Sequence, residues 1–169
     1  MVCALADQCA ACSQAVLRNA VCCGYENSVK ALLQSGVSTE VTYLHEAANN
    51  GFKQVVHYLL EYGADVNEAD KHGMTALHRA TRGGFIGAAS VLIDAGAAVD
   101  AVEPECGNTP LHFAAKAAAA PLIRLLLAEG AVLKKQNRDG DDAQAVWKGS
   151  QLEFNELLAD LYSEMHGCT

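Results

Sequence analysis

Residues 107–116 read GNTPLHFAAK, and the phrase at the centre of this stretch occurs twice more, earlier in the chain. Residues 75–81 are TALHRAT and residues 42–48 are TYLHEAA, so Thr42, Thr75 and Thr109 stand 33 and then 34 residues apart. A fixed period of this size signals stacked supersecondary units rather than one irregular core. Other letters keep the same register. GADVN (63–67), GAAVD (96–100) and GAVLK (130–134) each follow an apolar pair, Leu59-Leu60, Leu92-Ile93 or Leu126-Leu127. Between phrase and pair stand Gly51-Phe52 and Gly84-Phe85.

Each letter has a local physical reading. Thr109 is a good N-cap, its hydroxyl suited to a free backbone N–H of the first turn. Pro110 follows at the first helical position, where a missing N–H costs nothing. Ala47-Ala48 and Ala114-Ala115 lack bulk, so helices can approach closely there. Gly51 and Gly84 can take positive φ and stop the first helix. Val55, Val56, Leu59 and Leu60 recur at helical spacing and predict a second helix, which Gly63 ends. The unit is therefore a helix–turn–helix of about 33 residues followed by an extended linker.

This pattern resembles the ankyrin repeat: T-P-L-H-x-A-A, the mid-unit glycine and G-A-D-V-N all stand in the sequence. The resemblance is strong over about residues 40–136 and weaker at both ends. It implies an all-α ankyrin-repeat solenoid of about five helix-turn-helix units, with short β-hairpin linkers and degenerate capping units at both ends. The expected division is 1–36 for the N-terminal cap, 37–69, 70–102 and 103–136 for regular units, and 137–169 for the C-terminal cap. In the first, Leu17, Ala20, Gly24-Tyr25, Leu32-Leu33 and Gly36 fit a helix pair without the Thr and His. In the last, DDAQAVWKGS and QLEFNELLADLYSEM are the expected helices. Phe154, Leu157, Leu158, Leu161 and Met165 form an apolar stripe opposite Glu153, Asn155, Glu156, Asp160 and Glu164, as a capping helix requires.

The chain departs from the pattern in three places. Gly36 to Thr42 is six residues where Gly63 to Thr75 is twelve, so the first projecting hairpin is expected to be missing. Gly96 to Thr109 is thirteen, and the extra residue with Pro104 is expected to distort that hairpin. Ala118 stands where a glycine belongs. A positive φ at this residue would make Ala118→Gly stabilising, and a helical one would make it destabilising.

Chemistry-bearing motifs are few. His45, His78 and His112 are equivalent residues of successive units, whose helices pack ~8–10 Å apart. Nitrogens must lie ~2.1 Å from a shared zinc, so the three cannot ligate one ion. The resemblance implies instead that each bridges to the following linker. HEAAN (45–49) lacks the second histidine of a zinc-protease helix. RDGDD (138–142) lacks the alternating and distal ligands of a calcium loop, and Asp142 is expected to cap a helix. There is no nucleophile elbow, phosphate loop or dinucleotide turn. Seven cysteines cannot all pair, and five of them (Cys3, Cys9, Cys12, Cys22, Cys23) crowd the first 23 residues. A closed four-thiol zinc or redox site there is the alternative function, against plain packing of small apolar side chains. Lipid attachment at Cys3 is a further alternative.

Composition narrows the partners. A net charge of −8 argues against general affinity for nucleic acid or anionic lipid. No apolar run of ~18 residues exists to cross a membrane. The first residues, which lack a basic leader, are read as neither a secretory signal nor a transit peptide, so reduced thiols in the cytoplasm or nucleus are expected. No cofactor is implied. The expected function is a non-enzymatic protein–protein interaction module: an adaptor, inhibitor or assembly factor, monomeric, binding another protein or peptide. A recognition half of a larger enzyme is the other rival; it needs a docking domain for which the last unit shows no room. By resemblance, contacts come from hairpin tips and from the exposed face of each first helix. That assigns His72, Met74, Cys106 and Asn108 at tips, then Glu46, Asn49, Asn50, Arg79, Arg82, Phe113 and Lys116 on helices. The basic middle (Arg79, Arg82, Lys116) beside Phe113 suits an acidic partner with an apolar anchor; the alternative is that Arg79 and Arg82 are merely solvated or paired with nearby acids.

Overall fold

The computed structural model describes the backbone of residues 2–166 and the side chains of residues 12–163. The described residues form nine α-helices and no strand: α1 (Val2–Cys23), α2 (Glu26–Gln34), α3 (Val41–Asn49), α4 (Lys53–Glu61), α5 (Ala76–Arg82), α6 (Ile86–Asp94), α7 (Pro110–Lys116), α8 (Ala120–Ala128) and α9 (Gln151–His166). Helices α1, α3, α5 and α7 pack side by side in one row; α2, α4, α6, α8 and α9 make a second row behind it. This is the all-α solenoid that the period predicts.

The core runs between the rows without a break. Tyr43, Leu44, Ala47 and Ala48 of α3 are buried with Val55, Val56 and Leu59 of α4, and Leu77, Ala80, Ala88, Ala89, Leu92, Leu111, Ala114 and Ala115 continue it. Alanine recurs where first helices meet. Thr81 takes an alanine's place there and satisfies its buried hydroxyl by donating to the Leu77 carbonyl at 2.9 Å. The second linker is also bonded across: the Asn67 side chain receives the Ala98 N–H at 2.8 Å and donates to the Gly96 carbonyl at 3.2 Å.

Glycine is needed at mid-unit for two separable reasons. Gly24 and Gly51 have φ of 69° and 72°, and a Cβ on them would meet Phe52 at 2.8 Å and Phe85 at 2.3 Å. The aromatic ring of each unit thus lies on the glycine of the one before. Ala119 replaces the ring in the next unit, and a Cβ on Gly84 would touch nothing within 4 Å. Ala118 has φ 51° and is exposed. With no ring above it, a methyl fits, and only backbone strain remains.

Several expectations need correction. Residues 141–150 form turns and bends, not a helix; Asp142 caps only the Ala145 N–H, at 3.0 Å. The hairpins are tight turns without strands, and the single antiparallel bridge among the described residues joins Ala69 to Thr75. Where the linker is shortened, α3 begins at Val41 after an uncapped Glu40, so Thr42 lies inside the helix and not at the N-cap that Thr109 holds in its unit. In α9, Phe154, Leu157 and Leu161 are buried as a cap demands, and Leu158 is half-buried. Met165 lies outside the described side chains, as do Cys3 and Cys9; Cys168 lies outside the described residues altogether.

Candidate partner-binding surface

The repeated histidines are structural. His78 Nε2 lies 3.0 Å from the Ala101 carbonyl, and His112 Nε2 lies 3.0 Å from that of Asp141. Their Nδ1 atoms accept the backbone N–H of the N-caps Thr75 and Thr109, each at 3.1 Å. A carbonyl only accepts and an amide only donates, so both rings are neutral with the proton on Nε2. Each ring ties its own helix start to the next linker. Burial pushes His78 below its ordinary value of 6.5, outweighing the hydrogen bond to Ala101 that favours the charged ring. His45 has lost its N-cap partner: Nδ1 turns to the Val41 carbonyl at 2.7 Å, while Nε2 still reaches Met74 at 3.0 Å.

The finger-like turns repeat a second device. Asp70, Glu103 and Asn137 occupy one register position, and each closes its own turn. Asp70 accepts the N–H of His72 at 2.8 Å and of Met74 at 3.0 Å; Asn137 accepts those of Asp139 and Asp141 at 3.0 and 2.9 Å. The middle finger holds the extra residue, and there the longer Glu103 receives Glu105, Cys106 and Asn108 N–H at 2.7, 2.9 and 3.2 Å. The expected distortion is thus absorbed by one methylene. Burial alone would raise the Glu103 carboxyl, but these amides hold it below its usual range. Adjacent fingers also stack. A Cβ on Gly73 would lie 2.3 Å from the Pro104 ring, and one on Gly107 3.1 Å from Arg138.

The predicted contact residues divide sharply. His72, Cys106, Asn49, Asn50 and Arg82 are exposed, and Glu46, Phe113 and Lys116 are half-buried. Met74 and Asn108 are corrected. They are 7% and 3% exposed because each directly precedes an N-cap, under the neighbouring unit. Asn108 bonds Glu103 and accepts from Asn137 at 3.1 Å and from Lys116 at 3.3 Å. Arg79 is half-buried and follows the alternative reading, paired with a nearby acid. Its Nε donates to Asp70 Oδ2 at 3.0 Å, with Nη2 on the same oxygen, pinning the finger to α5. Asp70 is raised by burial and lowered more by Arg79 and its amides, so it lies below the usual carboxylate value. Phe113 and His78 meet in a T-shaped arrangement, ring centres 5.8 Å apart, and Phe113 is half-buried.

The four-thiol site is excluded by helix geometry. Cys12 and Cys22 lie on one unbroken helix, ten residues and therefore ~15 Å apart along its axis, whereas Zn–S bonds are ~2.3 Å. Among the described residues no group of three ligating side chains converges. Cys22 instead donates to Glu46 Oε2 at 2.9 Å, and that bond pushes its thiol up to about 11. No described helix is long and apolar enough to cross a membrane.

Two rows of short antiparallel helices, a mid-unit left-handed turn and a histidine bridge to each next linker define a class of stacked helical-repeat protein. The comparisons give the family. The profile described as "Ankyrin repeats (3 copies)" matches residues 17–103, and "Ankyrin repeats (many copies)" matches 92–143. The chain belongs to the ankyrin-repeat family, whose repeats generally act as protein–protein interaction modules. It is 32% identical over 126 residues to "Tyrosine-protein kinase HTK16" of Hydra vulgaris, covering 68% of this chain and 16% of that protein. It is 42% identical over 86 residues to "E3 ubiquitin-protein ligase XBAT33" of Arabidopsis thaliana, covering 51% of this chain and 17% of that protein. The chain therefore spans about a sixth of the length of either curated relative.

Proposed function

We propose that this chain is a non-enzymatic binding module, an adaptor, inhibitor or assembly factor acting as a monomer in the cytoplasm or nucleus. It grips an acidic protein segment with an apolar anchor. The observation that carries this reading is which side chains the fold leaves over. The His, Thr, Arg79 and Asn108 side chains are consumed in bridges, while Arg82 is exposed, Lys116 commits only one 3.3 Å bond of its ammonium to Asn108, and Phe113 is half-buried beside them on the adjacent first helix. Arg82 and Lys116 hold the same register position, so neighbouring helices place them ~10 Å apart. Phe113, three residues before Lys116 on α7 and half-buried, packs against His78 and is the apolar anchor point of this centre. Exposed His72, Asn49, Asn50 and half-buried Glu46 flank this centre.

The kinase and ligase activities in the relatives' names are not carried over, because only a sixth of each protein corresponds to this chain. Those two relatives do favour a second reading, in which the chain is the recognition part of a larger enzyme. The test of the first is capture from cell extract followed by mass spectrometry, repeated with Arg82→Glu/Lys116→Glu. The expected result is loss of an acidic partner at unchanged thermal stability; retention of every captured protein would overturn the assignment. Arg79 is left out of the variant because reversing it would break the Asp70 pair and unseat a finger.

A further inference from the structure

The missing first finger leaves a place with the shape and charge of a finger's seat. In the next unit, the finger 70–74 lies against α5 and is held there by the Asp70–Arg79 pair. In front of α3 no such finger exists, and a cleft of about 320 Å³ opens between Thr42, His45, Glu46 and Asn49 on one side and Asp70, Lys71 and Arg79 on the other. Glu46 occupies the register position of Arg79, 33 residues earlier, so the finger-facing charge is reversed. The half-buried Glu46 carboxylate uses Oε2 for the Cys22 thiol and can offer Oε1 to the cleft.

Lys71 points the same way. It is equivalent to Pro104 and Arg138, which both lie over the glycine of the finger before them, Gly73 and Gly107. Arg138 also donates its N–H to the Cys106 carbonyl at 2.9 Å and Nη1 to the Glu105 carbonyl at 3.1 Å. Lys71 has the same kind of stem and the same charge, but no preceding finger to cover; it is exposed at the rim of the cleft.

We infer that this cleft seats a tight turn of a partner protein: glycine at its tip under Lys71, and a lysine or arginine side chain on Glu46. The partner supplies in trans the finger that the chain lacks, with the ion pair inverted relative to Asp70–Arg79. This deepens the protein-binding reading and rests on it, but uses residues separate from Arg82, Lys116 and Phe113. Arg79 and Lys71 do not oppose the incoming cation decisively, since Arg79 is neutralised by Asp70 and Lys71 can turn its ammonium to the turn's carbonyls.

The probe is a fluorescently labelled, cyclised peptide carrying residues 68–75 of this chain with Asp70→Arg, titrated with the whole protein by anisotropy. It is expected to bind, and the peptide retaining Asp70 to bind at least about tenfold more weakly, the range for losing one charge-assisted pair. Glu46→Gln should erase that preference and Glu46→Arg should invert it, while Arg82→Glu/Lys116→Glu leaves both titrations unchanged. Unchanged melting of each variant separates lost binding from lost folding. Absence of binding by the arginine peptide, equal binding of the two peptides, or a preference untouched by Glu46→Arg would each overturn the proposal. Sensitivity only to the Arg82/Lys116 pair would overturn it while leaving the acidic-partner reading standing.

Discussion

Ala118→Gly should make the protein more stable, and the structure allows the size of the gain to be worked out. Ala118 sits at φ 51°, just past α7, where its N–H donates to the Ala115 carbonyl at 3.0 Å and the next N–H reaches Ala114 at 3.0 Å. A left-handed conformation costs a residue with a Cβ roughly 1–2 kcal/mol. The methyl is exposed, so its removal sacrifices no burial. Against this, glycine gives the unfolded chain extra freedom worth about 0.4–1 kcal/mol. The balance is a gain of about 0.5–1 kcal/mol, or roughly 2 °C in Tm for a chain of this size. Gly84→Ala is the matched control: φ is 77°, and the added Cβ meets nothing within 4 Å. It should lose about what Ala118→Gly gains, the left-handed cost less the same entropy difference. Gly51→Ala should lose distinctly more, because its Cβ falls 2.3 Å from Phe85. Urea titration with a shared m-value provides the free energies. An unchanged or lowered midpoint for Ala118→Gly would refute the account of strain at this turn.

Other perturbations test the bridges. Because burial holds His78 below 6.5, the unfolded chain takes up the proton first as pH falls; stability is full above about 6.5 and declines below it. The slope from this residue is at most about 1.4 kcal/mol per pH unit, and His78→Gln should flatten urea midpoints compared at pH 7.5 and 5.5. Glu103→Asp should destabilise by about 1–2 kcal/mol, since the shorter chain cannot reach all three amides across the longer turn; deleting Glu105 in the same background should restore part of the loss. Glu46→Ala removes the bond and the charge that push the Cys22 thiol up to about 11, so peptide mapping after timed iodoacetamide treatment should show faster alkylation of Cys22. An unaltered rate would mean that the thiol–carboxylate contact is not made.

The solenoid was legible because its signal is non-local repetition of local rules. Threonine, histidine, small pairs and glycine each have one dominant physical use, and a period of 33 multiplies that evidence. Residues whose fate depends on a neighbouring unit were harder. Met74 and Asn108 look like finger-tip residues until the adjacent finger is laid over them. Arg79 looks free because Asp70 is nine residues away and is brought back only by the turn. A usable signal existed: Asp70, Glu103 and Asn137 share a register position, which marks an acceptor needed at every finger. The helix expected over 141–150 failed for a local reason. After the Asp142 cap, Lys148-Gly149-Ser150 breaks the run within two turns, and Trp147 folds back onto Gly149, its indole N–H on the Ser150 carbonyl at 3.1 Å.

The two errors of linker length have opposite outcomes, and the contrast explains where function can reside in an otherwise regular stack. One residue too many between α6 and α7 adds an amide donor to the turn, three on Glu103 where Asp70 and Asn137 each answer two, and the chain answers it internally. Lengthening aspartate to glutamate at residue 103 answers it, and the surface returns to regularity. Six residues too few between α2 and α3 add no such donor: α3 simply starts earlier, and His45 takes the Val41 carbonyl in place of a cap amide. What is left over is a reversed charge at Glu46 and an uncovered stem at Lys71, both at the rim and both able to wait in water. A surplus inside the fold is corrected by a neighbour, whereas a deficit at the edge remains available to another molecule. On the two proposals made above, the finger gap favours a cation and the Arg82–Phe113–Lys116 centre an anion. A partner that presents a basic turn followed by an acidic stretch would engage both, and a partner with the order reversed would meet like charge at each end.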